Sequence, residues 1–109
     1  MALPDAEFVR VMRLAELREG RMRSCRVAER DLVVCHTTSG VHVLDNTCTH
    51  AMARMSEGRL KGERLICPMH GASFDVSDGR VLAGPATCPL TTHSVRVVDG
   101  AIEISLNTP

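Results

Sequence analysis

Short alternations of apolar and charged residues recur along the whole chain, and they predict a protein built from β-strands. Side chains of a half-buried strand alternate between two faces with a period of two residues. The run 31–36, Asp-Leu-Val-Val-Cys-His, is nearly continuous in apolar residues and predicts a central strand covered on both faces. Such patterns predict strands over residues 8–13, 21–27, 31–36, 41–44, 64–67, 73–76, 80–82, 94–98 and 101–106.

Turn-forming residues separate these segments. The clusters Thr37-Thr-Ser-Gly40 and Asp99-Gly100 predict hairpin turns. A single turn is expected at 14–17, an irregular segment at 51–62, and a loop stiffened by two prolines at 83–89. No segment predicts a long helix, so the expected fold class is all-β, a sandwich or small barrel. The 109 residues suffice for one domain.

Composition excludes several classes of function. Lys and Arg together number 13, Asp and Glu also 13, so there is no basic excess to attract nucleic acid. Only two residues are aromatic, which leaves almost no surface on which bases could stack. No run is long and apolar enough to span a membrane, and residues 1–16 lack the apolar centre of a signal peptide. We therefore expect a cytoplasmic protein.

Two short runs combine cysteine with histidine. The first is Cys48-x-His50, the second is Cys67-x-x-His70, and sixteen residues separate them. An odd count of five cysteines in a reducing compartment argues against a disulfide framework. The remaining side chains of these types are expected to be structural: Cys25 and Cys35 as small buried residues, and His36, His42 and His93 as surface or hydrogen-bonded residues.

Thiolate and imidazole ligands at these spacings indicate a metal site. The ligand types suit zinc, copper or an iron–sulfur centre. A structural Cys2His2 zinc site is the simplest alternative, but zinc fingers usually place Cys with Cys and His with His. Here each run mixes the two types. Mixed runs match a two-iron cluster in which two cysteines bind one iron and two histidines bind the other.

The two runs resemble the signature of the Rieske 2Fe–2S family, in which Cys-Pro-x-His-Gly is a specific element. The resemblance covers essentially the whole chain and is to the soluble ferredoxins of bacterial aromatic-ring dioxygenase systems. Further matching positions are Ser56-Glu57-Gly58, Phe74-Asp75, Gly79, Gly84-Pro85-Ala86, Pro89-Leu90 and Val97-x-Asp99-Gly100.

The resemblance implies a fold and a site. It implies one Rieske domain over 1–109, an antiparallel β-sandwich with an inserted cluster-binding part at about 46–89. That part would consist of two ligand loops and a proline loop. It would hold one Rieske-type 2Fe–2S cluster. Cys48 and Cys67 would bind one iron through Sγ, and His50 and His70 the other through Nδ1.

The resemblance also implies a function. The protein would be an electron-transfer component without catalytic residues. It would carry one electron at a time from an NAD(P)H-dependent flavoprotein ferredoxin reductase to a terminal aromatic-ring oxygenase. It would be a monomer that binds neither nucleic acid nor membranes.

Departures from the respiratory Rieske proteins predict a low reduction potential. Those proteins add a cysteine to each ligand loop and join the two in a disulfide, whereas this chain has Ala53 and Met69. They also donate hydroxyl hydrogen bonds to the cluster from a Ser and a Tyr, whereas this chain has Ala72 and Phe74. Fewer hydrogen bonds to the sulfurs destabilise the more negative reduced form and lower the potential.

Apolar residues around the cluster would shield it or form a docking face: Ala51, Met52, Met69, Pro85 and Leu90. Three other functions stay open at this point. They are the small Rieske subunit of an assimilatory nitrite reductase, a fragment of an oxygenase large subunit, and a zinc-binding interaction module.

Overall fold

The fold consists almost entirely of β-strands. The computed structural model describes residues 7–49 and 52–107. Two single 3₁₀ turns, Leu14–Glu16 and Met55–Glu57, interrupt the strands. The strands are β1 Val9–Arg13, β2 Met22–Val27, β3 Arg30–Thr37, β4 Gly40–Asp45, β5 Arg59–Lys61, β6 Arg64–Ile66, β7 Ser73–Asp75, β8 Val81–Ala83, β9 Thr92–Val98 and β10 Ala101–Ser105. The prediction of an all-β fold is confirmed.

The strands form two antiparallel sheets. The larger has six strands in the order β1-β10-β9-β4-β3-β2, and the smaller has four in the order β5-β6-β7-β8. Strand β9 joins two parts of the larger sheet, because His93 pairs with Val43 of β4 whereas residues 94–98 pair with β10. The whole smaller sheet lies between β4 and β9 in sequence, so it is an insertion into the larger one.

Strand β3 separates two buried cores. Leu32, Val33, Val34 and Cys35 are all inaccessible to solvent, as expected for a strand covered on both faces. Val33 and Cys35 belong to the cysteine core, which comprises Val33, Cys35, Leu44, Cys48, Met55, Leu65, Cys67, Ala72, Phe74, Val76, Ala86 and Leu90. Leu32 and Val34 belong to the distal core, which comprises Met12, Leu17, Val27, Leu32, Val34, Val43, Ile102 and Ile104.

Some local predictions were wrong. The sequence predicts an irregular segment at 51–62, yet this segment contains the 3₁₀ turn Met55–Glu57 and strand β5, which pairs with β6. The pattern does not indicate β5 because its three residues lie between two turn signals. The strand predicted at 94–98 begins earlier, at Thr92, so His93 lies within β9. Cys25 is half-buried rather than buried. Burial of Cys35 is confirmed, and it raises the pKa of that thiol to about 12.

The predicted Asp-Gly hairpin is confirmed. Asp99 and Gly100 have φ angles of 51° and 77°, as a two-residue turn matched to the strand twist requires. No helix within the described ranges is long and apolar enough to cross a membrane.

Candidate metal centre

The first ligand loop, residues 46–58, connects β4 to β5 and carries Cys48. The Cys48 amide donates to the carbonyl of Ala53 at 2.9 Å, and Thr47 forms an isolated β-bridge with Arg54. These contacts turn the loop back on itself and bury Cys48, which is 4% exposed. The second residue predicted as a ligand in this loop, His50, lies outside the described residues, as does Ala51.

The second ligand loop, residues 67–72, connects β6 to β7. Its ends are joined because the Cys67 amide donates to the carbonyl of Ala72 at 2.7 Å. Within the loop His70 and Gly71 have φ angles of 64° and 74°, the left-handed conformation that reverses the chain in a short distance. His70 is exposed, whereas Cys67 is 2% exposed. The loop therefore separates its two predicted ligands into a buried thiol and an accessible imidazole.

The two loops bring their cysteines together. A hydrogen bond joins the Cys48 and Cys67 thiols, which are not in a disulfide. Burial raises the pKa of the Cys67 thiol, the Met69 amide 3.4 Å from its Sγ lowers it, and the neighbouring Cys48 raises it further. Two buried sulfur donors from different loops thus face each other, which is a suitable arrangement for a thiolate-bound metal.

The proline loop, residues 84–91, packs beside the first ligand loop. The Thr49 hydroxyl donates to the Cys88 carbonyl at 2.8 Å. At the other end, the Leu90 amide donates to the Gly79 carbonyl at 2.9 Å. A Cβ atom on Gly79 would lie 2.0 Å from the Leu90 carbonyl oxygen, so only glycine permits this close approach. Cys88, whose burial the sequence does not predict, is exposed.

Gly58 permits a similar approach between the ends of the two ligand loops. A Cβ atom at this position would lie 1.9 Å from the carbonyl oxygen of Ile66 and 3.1 Å from Cδ of Pro68. The residue that ends the first ligand loop therefore packs directly against the segment that leads into Cys67.

The apolar residues predicted around the cluster fall into two groups. Met52 is fully exposed, Met69 is 47% exposed and Pro85 is exposed. Leu90 instead is 2% exposed and lies in the cysteine core, so it anchors the proline loop to that core. The fifth residue of that prediction, Ala51, is outside the described residues.

The residues present fit a cluster with sulfur ligands on its buried side and imidazole on its exposed side. Within residues 7–49 and 52–107, no three His, Cys, Asp or Glu side chains converge as ligands of one metal ion. A two-iron cluster with two ligands on each iron needs only two protein side chains per metal.

The three other histidines make structural hydrogen bonds, as the sequence predicts. Nδ1 of His36 donates to the Leu17 carbonyl at 2.8 Å, and Nε2 of His42 lies 2.8 Å from the Ser39 hydroxyl. His93 is buried, with Nε2 located 2.8 Å from Oδ1 of Asp45.

Comparison with known proteins identifies the family. Residues 7–95 match the family model of the Rieske [2Fe-2S] domain, and the chain belongs to this family. The predicted cofactor, one Rieske-type 2Fe–2S cluster, is thereby confirmed.

Within the family, the chain is similar to ferredoxins of dioxygenase systems. It is 31% identical to the ferredoxin component of the naphthalene 1,2-dioxygenase system of Pseudomonas putida, over 93% of this chain and 97% of the relative. It superimposes on the ferredoxin of carbazole 1,9a-dioxygenase from Nocardioides aromaticivorans IC177 with a TM-score of 0.87 and 28% identity, covering 92% of this chain and 98% of that one.

A third match comes from a solved complex of reduced oxygenase and oxidized ferredoxin in carbazole 1,9a-dioxygenase. The matching chain is 32% identical with a TM-score of 0.84, and the match covers 89% of this chain and all of that one. The resemblance to dioxygenase ferredoxins is therefore confirmed.

Sequence patterns predict the ligands but not all of the residues that support them. Gly58, which admits no larger side chain, is among the positions that match the family in sequence. Asn46 is fully buried, yet it does not stand out in the sequence as part of the site. The only signal for Asn46 is its position two residues before Cys48, at the end of a predicted strand.

Proposed function

We propose that this protein is the ferredoxin component of a ring-hydroxylating dioxygenase system, an electron carrier rather than an enzyme. The observation that carries the proposal is the near full-length similarity to such ferredoxins in sequence and in fold. The carrier accepts single electrons from an NAD(P)H-dependent flavoprotein reductase and passes them to a terminal oxygenase. The aromatic substrate binds to the oxygenase and not to this chain.

The proposed ligands are the four residues of the two runs. Cys48 and Cys67, whose thiols meet in the cysteine core, bind one iron through Sγ. His70, which is exposed at the tip of the second ligand loop, binds the other iron through Nδ1 together with His50. The bound cluster supplies one-electron oxidation and reduction without making or breaking covalent bonds in a substrate. The exposed imidazole side gives the electron a short route out of the protein.

The proposed potential is low for a Rieske centre. Ala72 and Phe74 are fully buried in the cysteine core and carry no hydroxyl group that could donate to the cluster sulfurs. Ala53 and Met69 cannot form the disulfide of the respiratory proteins. Among the described residues, the Met69 amide is the backbone donor 3.4 Å from Cys67 Sγ.

Residues 1–109 form a single Rieske domain in which the cluster-binding part, about 46–89, is inserted into the larger sheet. The smaller sheet, β5 to β8, lies between β4 and β9 in sequence and supports this division. The carrier works as a cytoplasmic monomer that contacts its reductase and oxygenase in turn.

The experiment that tests the proposal begins with the purified protein. We expect two irons and two acid-labile sulfides per chain, and a low-temperature EPR signal of a Rieske centre after reduction. With NADH and a flavoprotein ferredoxin reductase, the visible absorption should bleach, and it should recover on addition of oxidised terminal oxygenase. Gel filtration of each mixture should return the carrier as a dissociable monomer.

Two outcomes would contradict the proposal at different points. A colourless protein with stoichiometric zinc would show that no cluster is bound and would reject the carrier function as well. A protein that holds the cluster but exchanges no electrons with reductase or oxygenase would reject the carrier function alone. A fixed subunit, such as that of nitrite reductase, would then be the better interpretation.

A further inference from the structure

A buried polar residue closes the base of the first ligand loop. Asn46 follows β4 directly, lies two residues before Cys48 and has no solvent-accessible surface. Burying an amide side chain is unfavourable unless hydrogen bonds replace those it makes with water. Its partners therefore show what the residue does.

Asn46 binds the far end of its own loop through backbone and side chain. Its carbonyl accepts from the Met55 amide at 2.6 Å, and its Oδ1 accepts from the Ser56 amide at 2.7 Å. Its Nδ2 donates to the Ser56 hydroxyl at 3.0 Å. These three hydrogen bonds join the first residue of the loop to the 3₁₀ turn near its end. They therefore hold the two ends of the segment that contains Cys48 close together.

Asn46 also binds the loop to strand β3 of the larger sheet. Its amide donates to the Asp31 carbonyl at 3.0 Å, and its Nδ2 donates to Oδ1 of Asp31 at 3.2 Å. Asp31 directly precedes the buried part of β3 and receives two further hydrogen bonds from Arg54, at 2.9 and 3.3 Å. Burial favours a higher pKa of Asp31, but the hydrogen bonds from Arg54 and Asn46 outweigh it and leave the pKa below its ordinary value.

The chemistry of these partners selects asparagine. A backbone amide such as that of Ser56 can only donate, so it fixes which end of the side chain is the oxygen. Nδ2 must then face the Asp31 carboxylate. An aspartate at this position would place a second carboxylate about 3.2 Å from the first. A leucine of similar shape would leave the Ser56 amide and Asp31 without this partner.

We infer that Asn46 is the positioning residue of the first ligand loop, which holds Cys48 against Cys67 in the geometry that receives the cluster. The inference rests on the proposed function, because it assigns Asn46 a role toward ligands of that site. The geometry supports this inference. The loop that Asn46 closes contains the Cys48 thiol, and the hydrogen-bond partners of Asn46 lie on β3 and in the 3₁₀ turn.

The experiment compares variants in the protein with its cluster bound. Asn46→Asp and the milder Ser56→Ala are the test variants, with Asn107→Asp as the matched exposed control and Ile104→Ala as a stability control in the distal core. The rate of cluster loss to an iron chelator, the EPR line shape, the reduction potential and the thermal unfolding midpoint are measured for each.

We expect Asn46→Asp to lose its cluster about tenfold faster, because removing a partner that orients metal ligands typically weakens a site by at least this factor. Its EPR signal should broaden and its reduction potential should shift, because the loop that carries Cys48 would adopt several conformations. Ser56→Ala should change the same readouts in the same direction to a smaller extent. Ile104→Ala should lower the unfolding midpoint and leave EPR and potential unchanged.

The inference would be overturned if wild type, Asn46→Asp and Ser56→Ala had equal cluster-loss rates and EPR spectra. It would also be overturned if the effects followed the unfolding midpoint alone and recurred in Ile104→Ala. Should Asn46→Asp fail to fold, Ser56→Ala decides by the same criteria. A wild-type protein without a cluster would instead reject the proposed function, so the two failures are distinguishable.

Discussion

At the scale of single residues, the proposed potential depends on two side chains that lack a hydroxyl group. Ala72 ends the second ligand loop, and Phe74 lies two residues further on in β7. Both are fully buried in the core that contains Cys48 and Cys67. A hydroxyl placed at either position would lie in the same core as the two cysteines and be shielded from water, and a hydrogen bond is stronger in such an environment.

We predict that Ala72→Ser raises the reduction potential. A hydroxyl that donates to sulfur stabilises the more negative reduced form more than the oxidised form. A gain of about 1 kcal/mol on reduction corresponds to roughly 40 mV for a one-electron couple. The potential is measured by redox titration monitored by EPR, and Phe74→Tyr should shift it in the same direction.

Ala101→Ser provides the control, because Ala101 is 1% exposed and lies in β10 of the larger sheet. It adds the same hydroxyl to a buried site outside the cysteine core and should leave the potential unchanged. An unchanged potential in Ala72→Ser itself would argue that Ala72 does not lie near a cluster sulfur.

The sequence allowed the chemistry of the site to be predicted, because cysteine and histidine at fixed spacings restrict the possible ligands strongly. The support of the site could not be predicted in this way. Asn46 is of a residue type common in turns, and what distinguishes it is its short distances to atoms of other segments. Such distances follow from the tertiary packing and have no local signature.

At the scale of elements, the sequence predicts most of the strands, including the three-residue strands β6, β7 and β8, but it does not predict β5. The hairpin of β9 and β10 has clear alternation and an Asp-Gly turn. The turn between β2 and β3 is formed by Ala28 and Glu29, with φ angles of 49° and 66°. Neither residue favours this left-handed conformation, so the regular pairing of the two strands imposes it against local preference.

One side chain connects turns of the two sheets. Glu63, in the turn between β5 and β6, accepts hydrogen bonds from Thr37 and Ser39, both at 2.7 Å, and from Thr38 at 3.1 Å. These donors belong to the end of β3 and the turn that follows it. The hydrogen bonds from Ser39 and Thr37 hold the pKa of Glu63 below its ordinary value of 4.5, as does the one from Thr38.

We predict that this contact weakens in acid. The folded-state pKa of Glu63 is lowered, so its contribution to stability is fully present above the unfolded-state pKa near 4.5 and is lost as pH falls through the folded value. Glu63→Gln keeps one acceptor and no charge. The stability difference between wild type and this variant, measured by urea unfolding, should shrink from about pH 6 to about pH 4 or below. A difference that stays constant over this range would contradict the assignment.

At the scale of the whole molecule, β3 separates the core that contains Cys48 and Cys67, the two predicted sulfur ligands, from the core that does not. Val33 and Val34 are neighbours on this strand and are both fully buried. Val33 faces the cysteine core and Val34 the distal core. The nearly continuous apolar run predicts a doubly covered strand, but which face meets the ligands depends on how the inserted sheet folds back.

We predict that the same truncation at these two positions has the same effect on stability and different effects on the cluster. Val33→Ala and Val34→Ala each remove two buried methyl groups and should destabilise the protein by about 2 kcal/mol. The cavity left by Val33→Ala opens in the core that packs Cys48 and Cys67, where the sulfur ligands can move into it. Its cluster should therefore be lost to a chelator faster than that of the wild type, and its EPR signal should broaden.

Val34→Ala should match the wild type in both cluster readouts despite its lower unfolding midpoint, because the cavity lies on the opposite side of β3. The pair is informative because strand, residue type and burial are identical and only the core differs. Cluster loss that rises equally in both variants would mean that overall stability controls retention of the cluster, and that the two cores do not act as separate parts.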